Sequence, residues 1–314
     1  MGPAGDSARE AGPRRPAVVH HDGYYAEIGL HVFPMKKFRM IRDEIVRRGL
    51  VREEDVLTPT PASREDVLRV HDRPYVDKLV HGRMSALDEA LLELPYSKGL
   101  VDASFLCAGG SILAAREAFA RGAGVNLAGG FHHAFPDHGE GFCVFNDVAI
   151  AIRDLQASKV IRRAAVIDVD VHQGNGTAAV FHGDPTVFTF SIHEEDNYPA
   201  EKPPSDQDIG LETGADGAVY LAALEHWVPR ILDRQEPHLV AYVAGADPYE
   251  DDQLGRLRLT RDDLRARDRL VFGECVKRGI PFVAFLAGGY ARDVHDTVGI
   301  QADMVEEAFR ALLM

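Results

Sequence analysis

The chain has little cysteine and no long apolar run. Its 314 residues include three cysteines, Cys107, Cys143 and Cys275, and none of them forms a C-x-x-C pair. An odd count without that spacing argues against a disulfide framework or a thiolate zinc site, and favours a reducing, intracellular compartment such as the cytoplasm. No uninterrupted apolar stretch reaches membrane-spanning length, so we expect no membrane segment. The first sixteen residues lack the apolar central region of a signal peptide, so we expect no secretion signal.

Positive charge is also scarce. Lys and Arg number 35 against 49 Asp and Glu, which gives a formal net charge of −14. Phosphate binding requires a basic face, so nucleic acid is disfavoured as a direct partner. A cationic peptide or amine would be better matched, although the need for solubility alone accounts for such acidity.

The sequence has no internal repeat, and no low-complexity linker follows residue 16. This predicts one domain over 17–314, preceded by a segment (1–16) rich in Gly, Pro, Arg and Ala that we expect to be disordered. From residue 124 onward, short β-branched runs alternate with helical patterns, which is typical of a parallel α/β sheet. The predicted strands are residues 17–21, 124–127, 164–169, 187–192, 239–243 and 281–286. The predicted helices are residues 104–121, 147–155, 216–235 and 260–277, with an earlier one ending at Gly49.

Three polar residues, Asp168, Asp170 and His172, stand at and beyond the end of the strand predicted at 164–169. Side chains alternate along a strand, so these three project from one face. Two carboxylates buried side by side need a counter-charge, and the simplest one is a bound metal or monovalent ion. The alternative is a strand end whose acids are solvated or cap the following helix.

A second cluster, His132 and His133, follows the strand predicted at 124–127 and two glycines, Gly129 and Gly130. Adjacent residues on a regular strand point to opposite faces, so both imidazoles serve one site only on an irregular loop, which the glycines permit. A pair of imidazoles is suited to proton transfer near neutral pH. Most of the 14 histidines are nevertheless expected on surfaces without a role.

Two further polar residues follow apolar strands, Asp247 after 239–243 and Tyr290 after 281–286. Ligands of open parallel sheets bind outside the carboxyl ends of the strands, and all four clusters lie at such ends. Two carboxylates and one imidazole with an open position are typical of catalytic zinc. Asp170, His172 and Asp247 fit this set, which would also accept another divalent ion such as ferrous iron.

The sequence resembles the zinc-dependent histone deacetylases of the arginase/deacetylase superfamily, most of all their class IV and bacterial class IV-like members. The resemblance extends over nearly everything from residue 17 onward. It implies an α/β fold with an open, mostly parallel sheet of eight strands flanked by helices, and a narrow tunnel leading to the metal. The stretches that carry it are FPMKKF (33–38), GGFHH (129–133), GFCVFN (141–146), IDVDVHQGNG (167–176), AGAD (244–247), LGR (254–256) and GGY (288–290).

The resemblance also implies roles for individual residues. Asp170, His172 and Asp247 are expected to bind one Zn²⁺ per chain. Tyr290 is expected to donate a hydrogen bond to the substrate carbonyl, and His133 to be the principal proton shuttle.

Further roles are carried over in the same way. His132 is expected to be the electrostatic companion of the shuttle, tethered to Asp168. Asp168 and the Ser191 hydroxyl are expected to help hold a structural K⁺ ion. Phe142 and Gly141 are expected to line the tunnel.

The sequence departs from many class I enzymes at three places. In many class I enzymes an aspartate supports the second histidine. This sequence has Asn175 at that position, as class II and class IV relatives do. Its amide fixes the imidazole tautomer without adding charge, so we expect a less elevated pKa for His133. Class I enzymes have an acidic residue at the tunnel rim that binds the substrate backbone, and Glu93 is the one candidate for it here. The segment 194–204 is expected to form the opposite tunnel wall, where Tyr198 is the one aromatic candidate.

These residues predict a metal-dependent amidohydrolase that uses metal-activated water to remove acyl groups from lysine side chains or related amines. The reaction needs no covalent intermediate, so Cys143 is interpreted as a structural thiol. Acylated lysine in peptides or proteins, long-chain acyl-lysine and acetylated polyamines all remain as substrates, and the sequence does not set an oligomeric state.

Two rival hypotheses belong to other classes. A binuclear manganese ureohydrolase of the arginase type would need extra acids around the second metal, including a further D-x-D pair on the late strand. The residues two before and two after Asp247 are Gly245 and Tyr249, so that pair is missing. A catalytically silent module that binds acyl-lysine would be expected to lack the tyrosine or a metal ligand, and both are present.

Overall fold

The computed structural model describes residues 15–313, so most of the segment predicted to be disordered lies outside the described residues. The described chain contains one sheet, in the order β1-β2-β7-β6-β3-β4-β5, and every neighbouring pair of strands is parallel. This confirms the predicted α/β class with an open sheet. The strands are β1 (Ala17–Val19), β2 (Ala123–Asn126), β3 (Ala164–Asp168), β4 (Val187–Glu194), β5 (Gln207–Leu211), β6 (Val240–Val243) and β7 (Phe282–Phe285).

Helices connect and cover these strands. Those predicted from the sequence begin and end within a few residues of the expected positions, apart from one that starts six residues earlier. Thr260 and Asp263 form a capping box at the start of the helix that begins at Arg261, as the Thr in the sequence indicated. The helices are α1 (Lys37–Arg47), α2 (Arg64–Val67), α3 (Arg73–Val80), α4 (Ala86–Leu92), α5 (Lys98–Arg121), α6 (Asp147–Ala157), α7 (Asn175–Phe181), α8 (Gly217–Gln235), α9 (Arg261–Lys277) and α10 (Val294–Ala311).

Both faces of the sheet are buried. In β3, Ala165 and Ile167 belong to a hydrophobic cluster that includes residues of α8, α9 and α10. Their neighbours Ala164 and Val166 belong to a second cluster that includes residues of α6 and α7. Burial on both sides explains why the central strands are continuous apolar runs rather than alternating ones.

The expected eighth strand is absent from the described residues, and the count of eight was wrong. At the outer edge of β1 the chain makes only an isolated bridge, in which the Leu57 N–H donates to Val18 O (2.8 Å) and the Leu57 carbonyl accepts from His20 N (3.0 Å). Pro59 and Pro61 follow two and four residues after Leu57. Proline has no N–H to donate, so the ladder ends after one residue.

The long helix α5 lies directly against the sheet. Gly124 of β2 permits this contact, because a Cβ atom there would lie 2.1 Å from the Ala114 carbonyl oxygen. By length and composition α5 would also be able to cross a membrane, but 67% of its most apolar window is buried inside the molecule. That burial is the pattern of a core helix, so the composition is weak support for a membrane span.

Candidate active site

The four polar clusters predicted at strand ends do meet at one edge of the sheet. The strands β2, β7, β6 and β3 are consecutive in the sheet order, and they are followed by the histidine pair, Tyr290, Asp247 and the Asp168–His172 segment respectively. Because the strands are parallel, all four connections leave from the same side.

Asp170, His172 and Asp247 form the one group of potential metal ligands identified among the described residues. Their ligand atoms all lie within 4.8 Å of one another, and all three residues are buried. His172 Nδ1 lies 3.0 Å from Asp170 Oδ1 and 3.3 Å from Asp247 Oδ2. Asp247 Oδ2 is buried without accepting a hydrogen bond. This orphaned oxygen and the mixed oxygen and nitrogen donors fit a divalent ion such as zinc or ferrous iron.

The protonation of the three groups also fits a cation site. Burial, and next the charge of Asp170, raises the pKa of Asp247 to about 7. Although burial alone would lower the pKa of His172, its contacts with Asp170 and Asp247 raise it to about 10. In the protein alone, a proton on the imidazole therefore balances the acids, and a divalent ion would replace that proton.

Two glycines allow this close approach of carboxylates and backbone. A Cβ atom on Gly288 would lie 1.8 Å from Asp247 Oδ2, and one on Gly245 would lie 2.2 Å from Asp170 Oδ2. The Gly288 N–H instead donates to Asp170 Oδ2 (2.9 Å). No larger residue fits at either position, which gives a structural reason for the AGAD and GGY stretches.

The histidine pair occupies the irregular loop that its glycines predicted. Gly129 and Gly130 have φ values of 77° and 79°, in the left-handed region that favours glycine. His132 Nδ1 lies 2.7 Å from Asp168 Oδ2, and His133 Nδ1 lies 2.7 Å from Asn175 Oδ1. Each imidazole therefore has a different orienting partner.

These partners separate the two imidazoles electrostatically. Burial opposes charge on His132, but Asp168 and Asp170 outweigh it and raise its pKa to about 9. Burial lowers the pKa of His133 well below its usual range, and the charges of His132 and His172 lower it further. The hydrogen bond to Asn175 raises the pKa of His133, but it offsets the lowering only in part. This agrees with the expectation that an uncharged partner raises the pKa less than an aspartate would.

The sequence did not reveal the acid that holds the histidine loop in place. Asp147, the first residue of α6, is buried and accepts hydrogen bonds from Phe131 N (2.9 Å), Gly130 N (3.3 Å) and the Ser111 hydroxyl. An acidic first-turn residue is common in helices, so its position in the sequence carried no signal for this role.

Tyr290 lies against the metal-ligand group, with its ring centroid 6.5 Å from that of His172. Asp252 accepts a hydrogen bond from the Tyr290 N–H (2.7 Å). On the other side, Lys37 Nζ lies 5.5 Å from the ring centroid and donates to the Ala287 carbonyl (2.8 Å). Asp252 and Lys37 thus fix the loop that carries the tyrosine, and neither was recognised from the sequence.

A cavity of about 150 Å³ leads past these groups. Tyr198 is part of its wall, and its ring centroid lies 5.0 Å from that of His133. Glu93, the candidate acidic rim residue, also contributes to the lining. The lining residues are Glu93, His133, Gly141, Phe142, His172, Asn197, Tyr198, Leu254 and Tyr290.

The remaining predicted site residues lie close by. Asp168 and Ser191 are register partners on β3 and β4, and the Ser191 hydroxyl lies 2.9 Å from His193 Nδ1. Their potassium site stays a prediction. Cys143 is buried, its thiol donates to the Gly141 carbonyl (3.3 Å), and burial raises its pKa well above the usual value. A protonated buried thiol is a poor nucleophile, as the structural interpretation requires.

An open parallel sheet with two carboxylates, an imidazole and a histidine pair at its carboxyl edge is the arrangement expected of a metal-dependent hydrolase. Residues 31–302 match the histone deacetylase domain. The chain belongs to the histone deacetylase family, and by that membership it is a deacetylase-type hydrolase.

The chain is also similar to individual proteins. The chain is 42% identical to an uncharacterised protein of Picosynechococcus over 90% of this chain and 94% of that protein. It is 31% identical to histone deacetylase 2 of Arabidopsis thaliana, over 90% of this chain and 74% of that protein. The solved HDA15 HD domain has the same fold, with a TM-score of 0.79 and 21% identity over 95% of this chain and 89% of that one.

Proposed function

We propose that the protein is a zinc-dependent deacylase that removes acyl groups from lysine side chains or related amines. The observation that carries this proposal is the convergence of the ligand group Asp170, His172 and Asp247 with His133 and Tyr290 at one cavity. A silent binding module would have no need for a proton acceptor and a hydroxyl donor placed together beside a metal-ligand group.

The chain's own residues supply the proton transfers. When bound by the ligand group, a divalent ion supplies Lewis acidity toward a carbonyl oxygen and a water. His133 engages Asn175 through Nδ1, so its Nε2 accepts the proton of the attacking water and afterwards protonates the leaving amine. The Tyr290 hydroxyl donates to the oxygen on which negative charge develops. Burial keeps the pKa of Tyr290 well above its ordinary value, so this hydroxyl stays a donor at neutral pH.

The metal stoichiometry separates this proposal from a binuclear ureohydrolase. Among the described residues only one group of potential ligands was identified, and it holds a single cluster of three. Gly245 and Tyr249 stand where a second acidic pair would flank Asp247. We therefore expect one metal ion per chain.

The acyl group and its carrier depend on the cavity. Its volume of about 150 Å³ accommodates a short acyl group together with part of a lysine side chain. A separate, largely apolar cavity of about 10 Å³ lies beyond Phe142 and is lined in part by Met35 and Leu100. Neither cavity has room for a long acyl chain as it stands, so long-chain acceptance, which the class IV-like resemblance predicts, requires Phe142 to move and the space beyond it to widen.

A hydrolysis panel tests the proposal. Acetyl, octanoyl and myristoyl groups would each be presented on a lysine peptide and on a polyamine, so that acyl length and carrier vary independently. We expect hydrolysis of at least the acetyl-lysine peptide, inhibition by a hydroxamate, and one zinc or iron per chain by elemental analysis. Loss of myristoyl hydrolysis alone would refute long-chain acceptance. No hydrolysis by metal-loaded protein would refute the function itself.

A further inference from the structure

We propose that Glu140 is a positioning residue for His133 and acts through the side-chain amide of Asn175. This inference rests on the proposed function and names a part of the proton-transfer machinery that lies outside the residues assigned above. Glu140 fixes which way the Asn175 amide points, and the amide in turn fixes which nitrogen of His133 carries hydrogen.

The contacts form an unbroken chain. Glu140 Oε1 accepts a hydrogen bond from Asn175 Nδ2 (2.6 Å). Asn175 Oδ1 lies 2.7 Å from His133 Nδ1. Asn175 is 1% exposed and His133 is 5% exposed, so water does not compete freely for these groups.

The direction of each hydrogen bond follows from the chemistry of the groups. An ionised carboxylate only accepts, so Asn175 must turn its Nδ2 toward Glu140. Its oxygen then faces His133, and an oxygen acceptor requires the hydrogen of the imidazole to be on Nδ1. Nε2 of His133 is thereby left as the free base facing the cavity. With the Asn175 amide reversed, Nδ2 would donate to His133 Nδ1 and the hydrogen would move to Nε2, where it would block proton uptake.

Glu140 is itself held in one place. Its backbone bridges to Cys143 across a turn in which Gly141 and Phe142 both have positive φ values, 49° and 68°. The Tyr198 hydroxyl donates to the same carboxylate oxygen (3.0 Å), and His138 Nε2 lies 3.3 Å from the other oxygen. The Glu140 side chain is only 17% exposed.

The carboxylate stays ionised in this setting. Partial burial alone would raise the pKa of Glu140, but the hydrogen bonds from His138, Asn175 and Tyr198 lower it below its ordinary value. An ionised Glu140 also places a negative charge one amide away from His133. In class I relatives one aspartate both contacts the histidine and supplies negative charge. Here Asn175 makes the contact, and Glu140 behind it supplies the charge.

A competing role for Glu140 is direct binding of a cationic substrate at the rim. That role predicts a raised KM with little change in kcat, because binding of the ground state and of the transition state would be lost together. A positioning role predicts the reverse. Glu140→Ala should lower kcat roughly 10–100-fold, the usual scale when the partner that orients an imidazole is removed. KM should change little.

Conservative and paired variants give the sharper test. Glu140→Gln should retain most of the turnover, since its Oε1 still accepts from Asn175 and Tyr198. Asn175→Asp alone brings two carboxylates into contact and should be strongly impaired. In the E140Q background the carboxylate introduced by N175D can accept a hydrogen bond from the side-chain amide that E140Q introduces. The loss of turnover caused by N175D should therefore be smaller in E140Q than in the wild type, by a factor of about five or more, which is the scale of coupling within one network. An equal cost in both backgrounds would overturn the proposal.

A spectroscopic readout keeps the proposal testable apart from activity. Nitrogen-15 NMR of histidine-labelled, zinc-loaded protein should show the Nδ1–H tautomer of His133 in the wild type and in E140Q, and a loss of that preference in E140A. Glu65→Gln removes an exposed carboxylate on α2, far from Glu140 in the sequence, and should leave kcat and the tautomer unchanged. An unaltered tautomer in E140A would overturn the inference. Absence of hydrolysis by the wild type would instead count against the proposed function, while the tautomer would still test Glu140.

Discussion

His132 and His133 are neighbours in the sequence with ring centroids 4.1 Å apart, yet their surroundings have opposite effects on their protonation. His132 faces the buried carboxylate of Asp168, which contributes to raising its pKa to about 9. His133 faces the neutral amide of Asn175, and burial together with its charged neighbours lowers its pKa. The surroundings therefore favour the charged form of His132, through Asp168 and Asp170, and the neutral form of His133, through burial and its charged neighbours.

The largest effect is expected from breaking the metal-ligand group that lies beside the two imidazoles. Asp247→Ala takes away one of the three ligands, so we expect loss of metal retention and of measurable hydrolysis. Elemental analysis and turnover, measured on the same preparation, check this. Asp262→Ala, at an exposed acid on α9, is the control and should keep both. Full zinc occupancy in Asp247→Ala would remove that residue from the site.

The contrast between the imidazoles predicts unequal effects of their removal. His133→Ala should lower kcat by about 10²–10⁴-fold, the usual contribution of general acid–base catalysis. His132→Ala should cost less, because that ring supplies charge rather than a proton. Both variants should retain the metal. Steady-state kinetics at neutral pH would decide, and a larger loss for His132→Ala would reverse the assignment of roles.

We expect the third group at the cavity, Tyr290, to act by donating a hydrogen bond from its hydroxyl to the substrate. Tyr290→Phe should lower kcat by about 10²–10³-fold, roughly 2.7–4 kcal/mol, and leave metal content unchanged. Substrate binding should be retained, since the ring and the Asp252 contact to its backbone survive. Turnover like that of the wild type would show that Tyr290 only packs against the sheet edge.

Much of the site could be predicted because it lies at strand ends. Asp168, Asp170 and His172 continue the period of β3, and a two-residue alternation is visible in one sequence. Asp147 and Glu140 could not be found this way. Their roles depend on loops brought together from different parts of the chain, and a hydrogen bond across the fold leaves no periodic signal.

The fold shows the same division. The strands β3, β6 and β7 are apolar runs buried on both faces, and the sequence indicated all three. The sequence also indicated β4, in which Val187, Phe188, Phe190 and Ile192 alternate in part with polar residues. The edge strand β5 (Gln207–Leu211) is mostly half-buried and carries no apolar run, so its pairing with β4 was not foreseen. The eighth strand was expected from the family, but prolines that follow Leu57 restrict that pairing to one residue.

The smallest effect on hydrolysis is expected at His71, a buried imidazole away from the metal ligands whose protonation affects the stability of the fold. Its Nδ1 lies 2.9 Å from the Phe135 carbonyl, and its Nε2 accepts from Asn146 N (2.9 Å), immediately before α6. This arrangement needs a neutral ring. Burial accordingly lowers the pKa of His71 to about 4, against the opposing effect of the backbone hydrogen bonds.

The sign of the pH dependence follows from linkage. Above pH 6.5 the imidazole is neutral in both the folded and the unfolded chain, and it adds no pH dependence. As the pH falls from 6.5 to about 4, the unfolded chain binds a proton that the folded chain resists, so the free energy of unfolding decreases, in total by on the order of 3 kcal/mol. His71→Asn should lower stability at pH 7.5 but flatten this decline. Urea unfolding at pH 7.5, 6 and 5 measures both effects, with the exposed His226→Asn as control. An equally steep decline in His71→Asn would show that other groups, such as the buried His20 with a pKa of about 4, set the acid sensitivity.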